Sequence, residues 1–527
     1  MRFVHIHERN LASVLAVTLL LLTAGFHQDT HASSAIAKAA RNDDLARSRQ
    51  LLADGMDANL SEPDGTTPLL WAVYNNSIGL VQMLLQAGAD PDMANHLDLS
   101  PLVQASRYGN AEMIATLLDS GASLERPDLN TEPAIMAAAR SGNRAALQIL
   151  LDAGADPNAI EPVDEQTAIM WATAEGHIEM VQSLLKAGAN PNQHARVNSL
   201  IERKNADFPS GGFVPLHWAS RNGDEAMMRL LLENGADINA RNGDGSTPMM
   251  LAIVNDRFDT AALLLELGAD ANDGSLFYIT EMRDATTDWR AKDGTVYRWD
   301  HENSLKAIEL TAMLLDAGAD PNKAFNMQMH NESMCCDIKV DATPLYRAAK
   351  AADTEGLKLM IAHGANPNWK PASESKSTGI NMSVEVESRS ALMMAINGGK
   401  GVGVSGGPND LRNGPPEFRE AGTRDPVTAV SMLLEAGADV SVRGPNEDTA
   451  LHIAAKALNP DIVRALVEHG ADLNAKNKDG KTALELVEAM DPPEPRPGFY
   501  FEPPPAQPIE IAVLLRELAG QSWDSAQ

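Results

Sequence analysis

A three-residue string, Gly-Ala-Asp or a close variant, constrains this chain through its spacing. It begins at Gly88, Gly121, Gly154, Gly188, Gly235, Gly268, Gly318, Gly364, Gly437 and Gly470, with a weaker copy around Gly55. From Gly55 the steps are 33, 33, 33, 34, 47, 33, 50, 46, 73 and 33 residues. A dominant period broken by a few longer steps means one structural unit used repeatedly, with insertions. A repeat array also suits the length: one compact core rarely grows past roughly 250–300 residues, and this chain has 527.

Each unit reads as two short helices. In Thr66–Asn95, Thr67-Pro68 opens the first helix, with Thr as cap and Pro at the first helical position. Leu69, Leu70, Ala72 and Val73 follow at helical spacing, and Asn75-Asn76 breaks the run. The second helix, Ile78 to Gln86, sets Leu80, Val81, Leu84 and Leu85 on one face. Gly88 can take the left-handed conformation that ends a helix, and Asp90-Pro91 starts an extended loop toward the next Thr-Pro. Two such helices cannot bury their apolar faces alone; stacked neighbours can.

The clearest copies are VPLHWASRNGDEAMMRLLLENGADINARNGDG (Val214–Gly245) and DTALHIAAKALNPDIVRALVEHGADLNAKNKDG (Asp448–Gly480). With the TPLH-like opening, the Leu-Leu pair, the Gly-Ala-Asp turn and the 33-residue period, the chain resembles the ankyrin-repeat family. The period and the turn argue against a tetratricopeptide array. The resemblance implies an all-α repeat solenoid of helix-turn-helix units joined by β-hairpin-like loops, about twelve units in all, with a concave groove that binds protein. His217 and His452 fall where the family ties helix to turn. Ala35–Asn59 reads as a degenerate N-terminal cap, and Lys481–Met490 followed by Pro508–Ala519 as the closing unit. The expected divisions are 33–245, 246–447 (the interrupted repeats) and 448–527.

Insertions are expected around Gln193–Phe213, Asp273–Asn303, Lys323–Asp341, Trp369–Ser388, Gly398–Asp425 and Asp491–Gln507. The Gly-rich GGKGVGVSGG within the fifth could be mistaken for a phosphate cradle. It follows a first helix and lacks the Lys-Ser/Thr pair that such a cradle needs, so it reads as a linker.

Residues 1–32 read as a secretory signal. Arg2 and Arg9 precede the apolar run Leu11–Leu22, and small residues suited to cleavage follow. The run falls short of the ~20 residues of a membrane span, so retention as an anchor is the lesser reading. The expected mature chain is exported, of bacterial type, periplasmic or secreted, monomeric, and not inserted in a membrane. A net charge of -29 argues against a nucleic-acid partner and against docking on an anionic membrane, since both need clustered Lys and Arg.

Two cysteines, Cys335 and Cys336, exclude a disulfide framework. They lie with Met327, Met329, His330 and Met334 in one stretch, a donor set that favours a soft ion such as Cu(I). An ordinary insertion loop is the favoured reading, ahead of a vicinal disulfide between Cys335 and Cys336 and of a metal site. Adjacent Cα atoms, about 3.8 Å apart, sit below the usual disulfide range of roughly 4.4–6.8 Å, so such a bond would be strained. No cofactor is expected.

Aligned on TPLHxA, the x column carries Trp71, Gln104, Ala137, Trp171, Trp218, Leu251, Arg347 and Met394. Two positions past the Ala stand Tyr74, Arg107, Arg140, Arg221, Lys350 and Lys456. Trp is enriched in binding hot spots, although these rings could instead pack on neighbouring first helices. The groove residues expected to meet a protein partner are Trp71, Tyr74, Arg107, Arg140, Trp171, Trp218 and Arg221. No HExxH or CxxC pattern occurs, and the Asp of each Gly-Ala-Asp recurs by structure, so the expectation is a non-catalytic scaffold. The rival is a module for a small molecule, glycan or soft metal built from the insertions within 273–341.

Overall fold

The structure is a computed structural model that describes residues 34–124, 132–198, 210–283, 303–324, 342–370, 389–396, 398, 425–491 and 507–520. Among these residues 24 α-helices form twelve pairs, in two compact units that divide at Pro248. The first unit holds α1 (Ala35–Arg41) and α2 (Leu45–Ala53), α3 (Pro68–Tyr74) and α4 (Ile78–Gln86), α5 (Pro101–Arg107) and α6 (Ala111–Asp119). It continues with α7 (Ala134–Ser141) and α8 (Arg144–Asp152), α9 (Ala168–Ala174) and α10 (Ile178–Lys186), α11 (Pro215–Asn222) and α12 (Glu225–Glu233). The second holds α13 (Pro248–Val254) and α14 (Phe258–Glu266), α15 (Ser275–Met282) and α16 (Ala307–Asp316), α17 (Pro344–Ala351) and α18 (Thr354–Ala362). It closes with α19 (Ala391–Ile396) and α20 (Pro426–Glu435), α21 (Ala450–Lys456) and α22 (Pro460–Glu468), α23 (Ala483–Glu488) and α24 (Pro508–Leu518). The helical repeat architecture read from the sequence is the one observed.

The local signals act as the residue types require. Thr67 Oγ1 accepts from the Leu70 amide at 3.1 Å, and Pro68 fills the first helical position. Ser100 and Thr343 cap α5 and α17 in the same way. Gly88 holds φ +88° after α4, and a Cβ there would meet nothing within 4 Å. The backbone angle alone therefore favours glycine at that position.

Packing explains the scarcity of aromatic residues. Ala72, Ala105, Ala138, Ala172 and Ala219 of the first unit's inner helices are fully buried, and so small a side chain lets adjacent first helices approach closely. The second helices supply the larger groups: Leu84, Leu117, Leu150, Leu184 and Leu231 are fully buried too, each worth about 1.5–3 kcal/mol over exposure.

A side-chain ladder sets the spacing of successive turns. Asn59 Nδ2 donates to the Gly88 carbonyl at 3.1 Å, and its Oδ1 accepts from the Asp90 amide at 2.7 Å. Asn158, Asn192, Asn272, Asn322 and Asn368 clasp the following Gly-Ala-Asp or Gly-Ala-Asn turn in the same two-bond manner. The clasp survives every insertion it spans, which is why insertions lengthen the chain between turns without shifting the stack.

One insertion differs from its sequence reading. Asp273–Asn303 is not wholly inserted, because Ser275–Met282 forms α15, the first helix of its pair. The unit lacks the Thr-Pro opening and starts instead at Gly274 (φ +123°), with Asp273 Oδ1 accepting from the Ser275 amide at 2.7 Å. Buried Leu276, Phe277, Tyr278 and Ile279 make it a core helix. The inserted chain therefore begins after Arg283, inside the unit. In the Gln193–Phe213 insertion, β1 (Val197–Asn198) pairs antiparallel with β2 (Ser210–Gly211), in register Val197 with Gly211. The two described ends of that segment are thus held together as an antiparallel pair. The leader and the 326–336 candidates lie outside the described residues.

Candidate protein-binding surface

The last turn of each first helix in the first unit carries one column of side chains: Arg41, Tyr74, Arg107, Arg140 and Arg221, with Ala174 in the α9 place. Helical spacing sets each of them one turn after the x position. Trp71, Trp171 and Trp218 at the x positions are 6 %, 6 % and 8 % exposed. Short first helices packed side by side leave little room at x, so the rings lie in the interface and the last-turn residues roof them. The Arg41 guanidinium carbon sits 5.8 Å from the Trp71 ring centre, Arg140 lies 5.3 Å from Trp171, and Arg221 lies 5.4 Å from Trp218. Such stacking holds a long side chain extended along the face. Phe213, just after β2, packs on Trp218 with ring centres 4.9 Å apart.

Carboxylates from the hairpin loops complete the arrangement. Trp71 Nε1 donates to Glu62 Oε2 at 3.0 Å, and Glu62 Oε1 meets Arg41 at 3.0 Å. Glu132 Oε1 accepts from both Arg107 Nε and Arg140 Nη2, each at 2.7 Å. Tyr74 and Tyr108 stand exposed beside them with ring centres 6.3 Å apart. Burial, the largest effect, raises the Tyr108 hydroxyl above its ordinary pKa, and Tyr74 adds to the shift. The face thus presents two phenol rings and a pair of guanidiniums on rigid helices.

Arg41, Glu62, Tyr108 and Glu132 were not among the residues the sequence singled out. A signal existed: Glu132 precedes Arg140 by eight residues, and Asp448 precedes Lys456, its ion-pair partner at 2.6 Å, by the same eight.

The histidine of the opening box has a structural task. The Val214 amide donates to His217 Nδ1 at 3.0 Å, and Nε2 donates to the Ala240 and Ser246 carbonyls at 3.1 Å. Burial pushes its pKa down to about 4, against the two carbonyl hydrogen bonds, which raise it. His452 repeats the geometry with Thr449 and the Lys481 carbonyl. The buried ring ties the helix start to the hairpin.

The second unit contains a buried ion pair that periodicity gave no hint of. Arg283 Nε and Nη2 each meet a carboxylate oxygen of Asp353 at 2.7 Å, with Glu355 at 3.1 Å. Arg283 and Asp353 are 2 % and 3 % exposed. Asp353 also caps α18 by accepting from the Gly356 amide at 3.1 Å. Burial works against the Arg283 cation, but Asp353 and Glu355 together raise its pKa above the ordinary value.

Among the described residues, no group of three or more His, Cys, Asp or Glu is placed to hold a metal ion, and no helix is long and apolar enough to cross a membrane.

Comparison with known proteins agrees with this geometry. A family model described as ankyrin repeats in three copies matches residues 9–95, 70–161, 102–195 and 193–274. A second, of many copies, matches residues 433–487. Among curated relatives, the E3 ubiquitin-protein ligase KEG of Arabidopsis thaliana is 24 % identical over 282 residues, 52 % of this chain and 16 % of that protein. Protein fem-1 homolog A of Danio rerio is 48 % identical over 68 residues, 13 % of this chain and 11 % of that protein. Ankyrin repeat and SOCS box protein 11 of Homo sapiens is 36 % identical over 91 residues, 17 % and 23 % of the two chains. The match thus spans less than a quarter of each relative's length. Among solved structures, the human ASB11 ankyrin repeat domain aligns with TM-score 0.38 and 24 % identity, over 44 % of this chain and 97 % of that one. The ankyrin repeat domain of Bcl-3 aligns with TM-score 0.37 and 24 % identity, over 45 % and 100 %. With half of its length matched by the repeat model, and with helix pairs closed by Gly-Ala-Asp turns, the chain belongs to the ankyrin-repeat family.

Proposed function

We propose that the chain is a non-catalytic scaffold that binds a protein segment along the last-turn face of its first helices and the adjoining hairpin tips. Ankyrin repeats generally mediate protein–protein interaction. The observation that carries the reading here is the exposed cluster of Tyr74, Arg107 and Tyr108, held by stacking and ion pairs on the layer of first helices. Tyr and Arg are over-represented at binding hot spots, and preformed side chains lose little entropy on association. The buried tryptophans Trp71, Trp171 and Trp218 support this face from beneath, and the partner meets Tyr74, Arg107, Arg140 and Arg221. The apolar run Leu11–Leu22 behind Arg2 and Arg9 supports action outside the cytoplasm.

Two measurements test this. Affinity capture is run with the wild-type chain and with Tyr74→Ala/Tyr108→Ala; a partner retained equally by both removes the proposed face. Mass spectrometry of the chain after expression with its leader reads the export proposal; an intact N-terminus in the cytoplasmic fraction overturns it.

A further inference from the structure

The proposed face differs in charge from the molecule that bears it. The chain carries a net charge of -29. The six first helices of the first unit carry Lys38, Arg41, Arg107, Arg140 and Arg221 and no Asp or Glu. Carboxylates reach this layer from the loops, and among the described residues Glu132 serves both Arg107 and Arg140 through one oxygen. Two guanidiniums converging on one carboxylate oxygen form a site already shaped for carboxylate, with two cations against that one carboxylate. Arginine suits this because its planar fork can take a carboxylate by two bonds.

From this geometry we infer that the partner is an acidic polypeptide segment. It lays Asp or Glu side chains across Arg107 and Arg140 and rests an apolar or proline residue on Tyr74 and Tyr108. This deepens the scaffold reading and rests on it. The Glu132 carboxylate is the intramolecular stand-in for the partner's own, and the incoming carboxylate competes with it or adds beside it. The two phenol rings, 43 % and 49 % exposed, supply the apolar contact that a bare charge cluster lacks. A polyphosphate chain fits less well. Its binding grows with the number of phosphates neutralised, and the surplus here is small while the loops around it bear Glu62, Asp64 and Asp98.

The test uses the full chain and fluorescent peptides. One peptide is rich in Asp and Glu with interspersed Phe and Pro, a second replaces each carboxylate by its amide, and a single-stranded oligonucleotide is the third probe. The expected result is saturable, salt-sensitive binding of the acidic peptide only. Arg107→Ala/Arg140→Ala should weaken it roughly tenfold or more, the range of a lost charged contact. Glu132→Gln should instead tighten it by removing the internal competitor, a gain that a merely misfolded variant cannot show. Equal binding of acidic and amide peptides, tighter binding of the oligonucleotide, or unchanged affinity in Glu132→Gln overturns the inference. If the wild type captures a protein partner and these substitutions leave that capture unchanged, the acidic segment is wrong and the scaffold reading stands.

Discussion

Asn368 and Asp439 are 71 residues apart in sequence, yet the Asp439 amide donates to Asn368 Oδ1 at 2.7 Å. The same Asn368 amide group reaches the Gly437 carbonyl at 2.9 Å. The two bonds have the geometry of the Asn59 clasp, whose partners lie 29 and 31 residues away. Turn-to-turn spacing is therefore set by this asparagine and the Gly-Ala-Asp turn, whatever the length of chain between them.

Replacing Asn368 by Ala removes both bonds and leaves two backbone groups to water. At about 0.5–1.5 kcal/mol per bond, the expected loss is roughly 1–2 kcal/mol. Denaturant unfolding of the full chain reads it. An unchanged midpoint would show that packing alone aligns the turns.

Asp353 both caps α18 and neutralises Arg283. Asp353→Asn keeps a good capping group but leaves the buried guanidinium with the half-exposed Glu355 as its remaining carboxylate partner, at an expected cost of about 3 kcal/mol. Arg283→Met/Asp353→Asn should recover most of that loss, since a buried pair replaced by apolar packing is often neutral. Thermal unfolding of both variants makes the comparison, and equal loss in the double variant contradicts the ion-pair account.

The pH dependence of stability has a defined sign. His217 is held neutral with a folded pKa of about 4, below the ordinary ~6.5. The unfolded chain therefore gains a proton first as pH falls. The contribution of His217 is complete above about pH 6.5 and declines as pH drops toward 4, by up to about 3 kcal/mol. His217→Gln should be less stable at pH 7 and flatten the curve across that window. Unfolding midpoints measured from pH 4 to pH 7 check both statements.

Two glycines separate conformational from steric cost. Gly88→Ala meets open space and should lose only the penalty of a left-handed backbone, about 1 kcal/mol. At Gly65 (φ +82°) a Cβ would come within 2.8 Å of the His96 ring and 3.1 Å of the His96 amide. Gly65→Ala should therefore cost distinctly more, as calorimetry of the two variants would show.

Much of the architecture was legible because it is local. Thr-Pro, the Leu-Leu pair and the left-handed glycine each act within a few residues, and the period copies them along the chain. Unit α15–α16 was misread in part because its first helix opens without Thr-Pro. The groove column was legible as a list of positions. What the list could not carry was depth, since whether Trp171 faces solvent depends on how closely α7 and α9 pack.

By itself, the sequence determined the repeating helix pair, its caps and turns, and the burial of the Ala and Leu positions, because these follow from residue type and spacing. Tertiary structure alone decided that Arg140 would roof Trp171, that Glu132 would hold two arginines, and that Arg283 would find Asp353 seventy residues on. Those are contacts between neighbouring repeats, and the period of a sequence does not state the distance between one turn's side chains and the next.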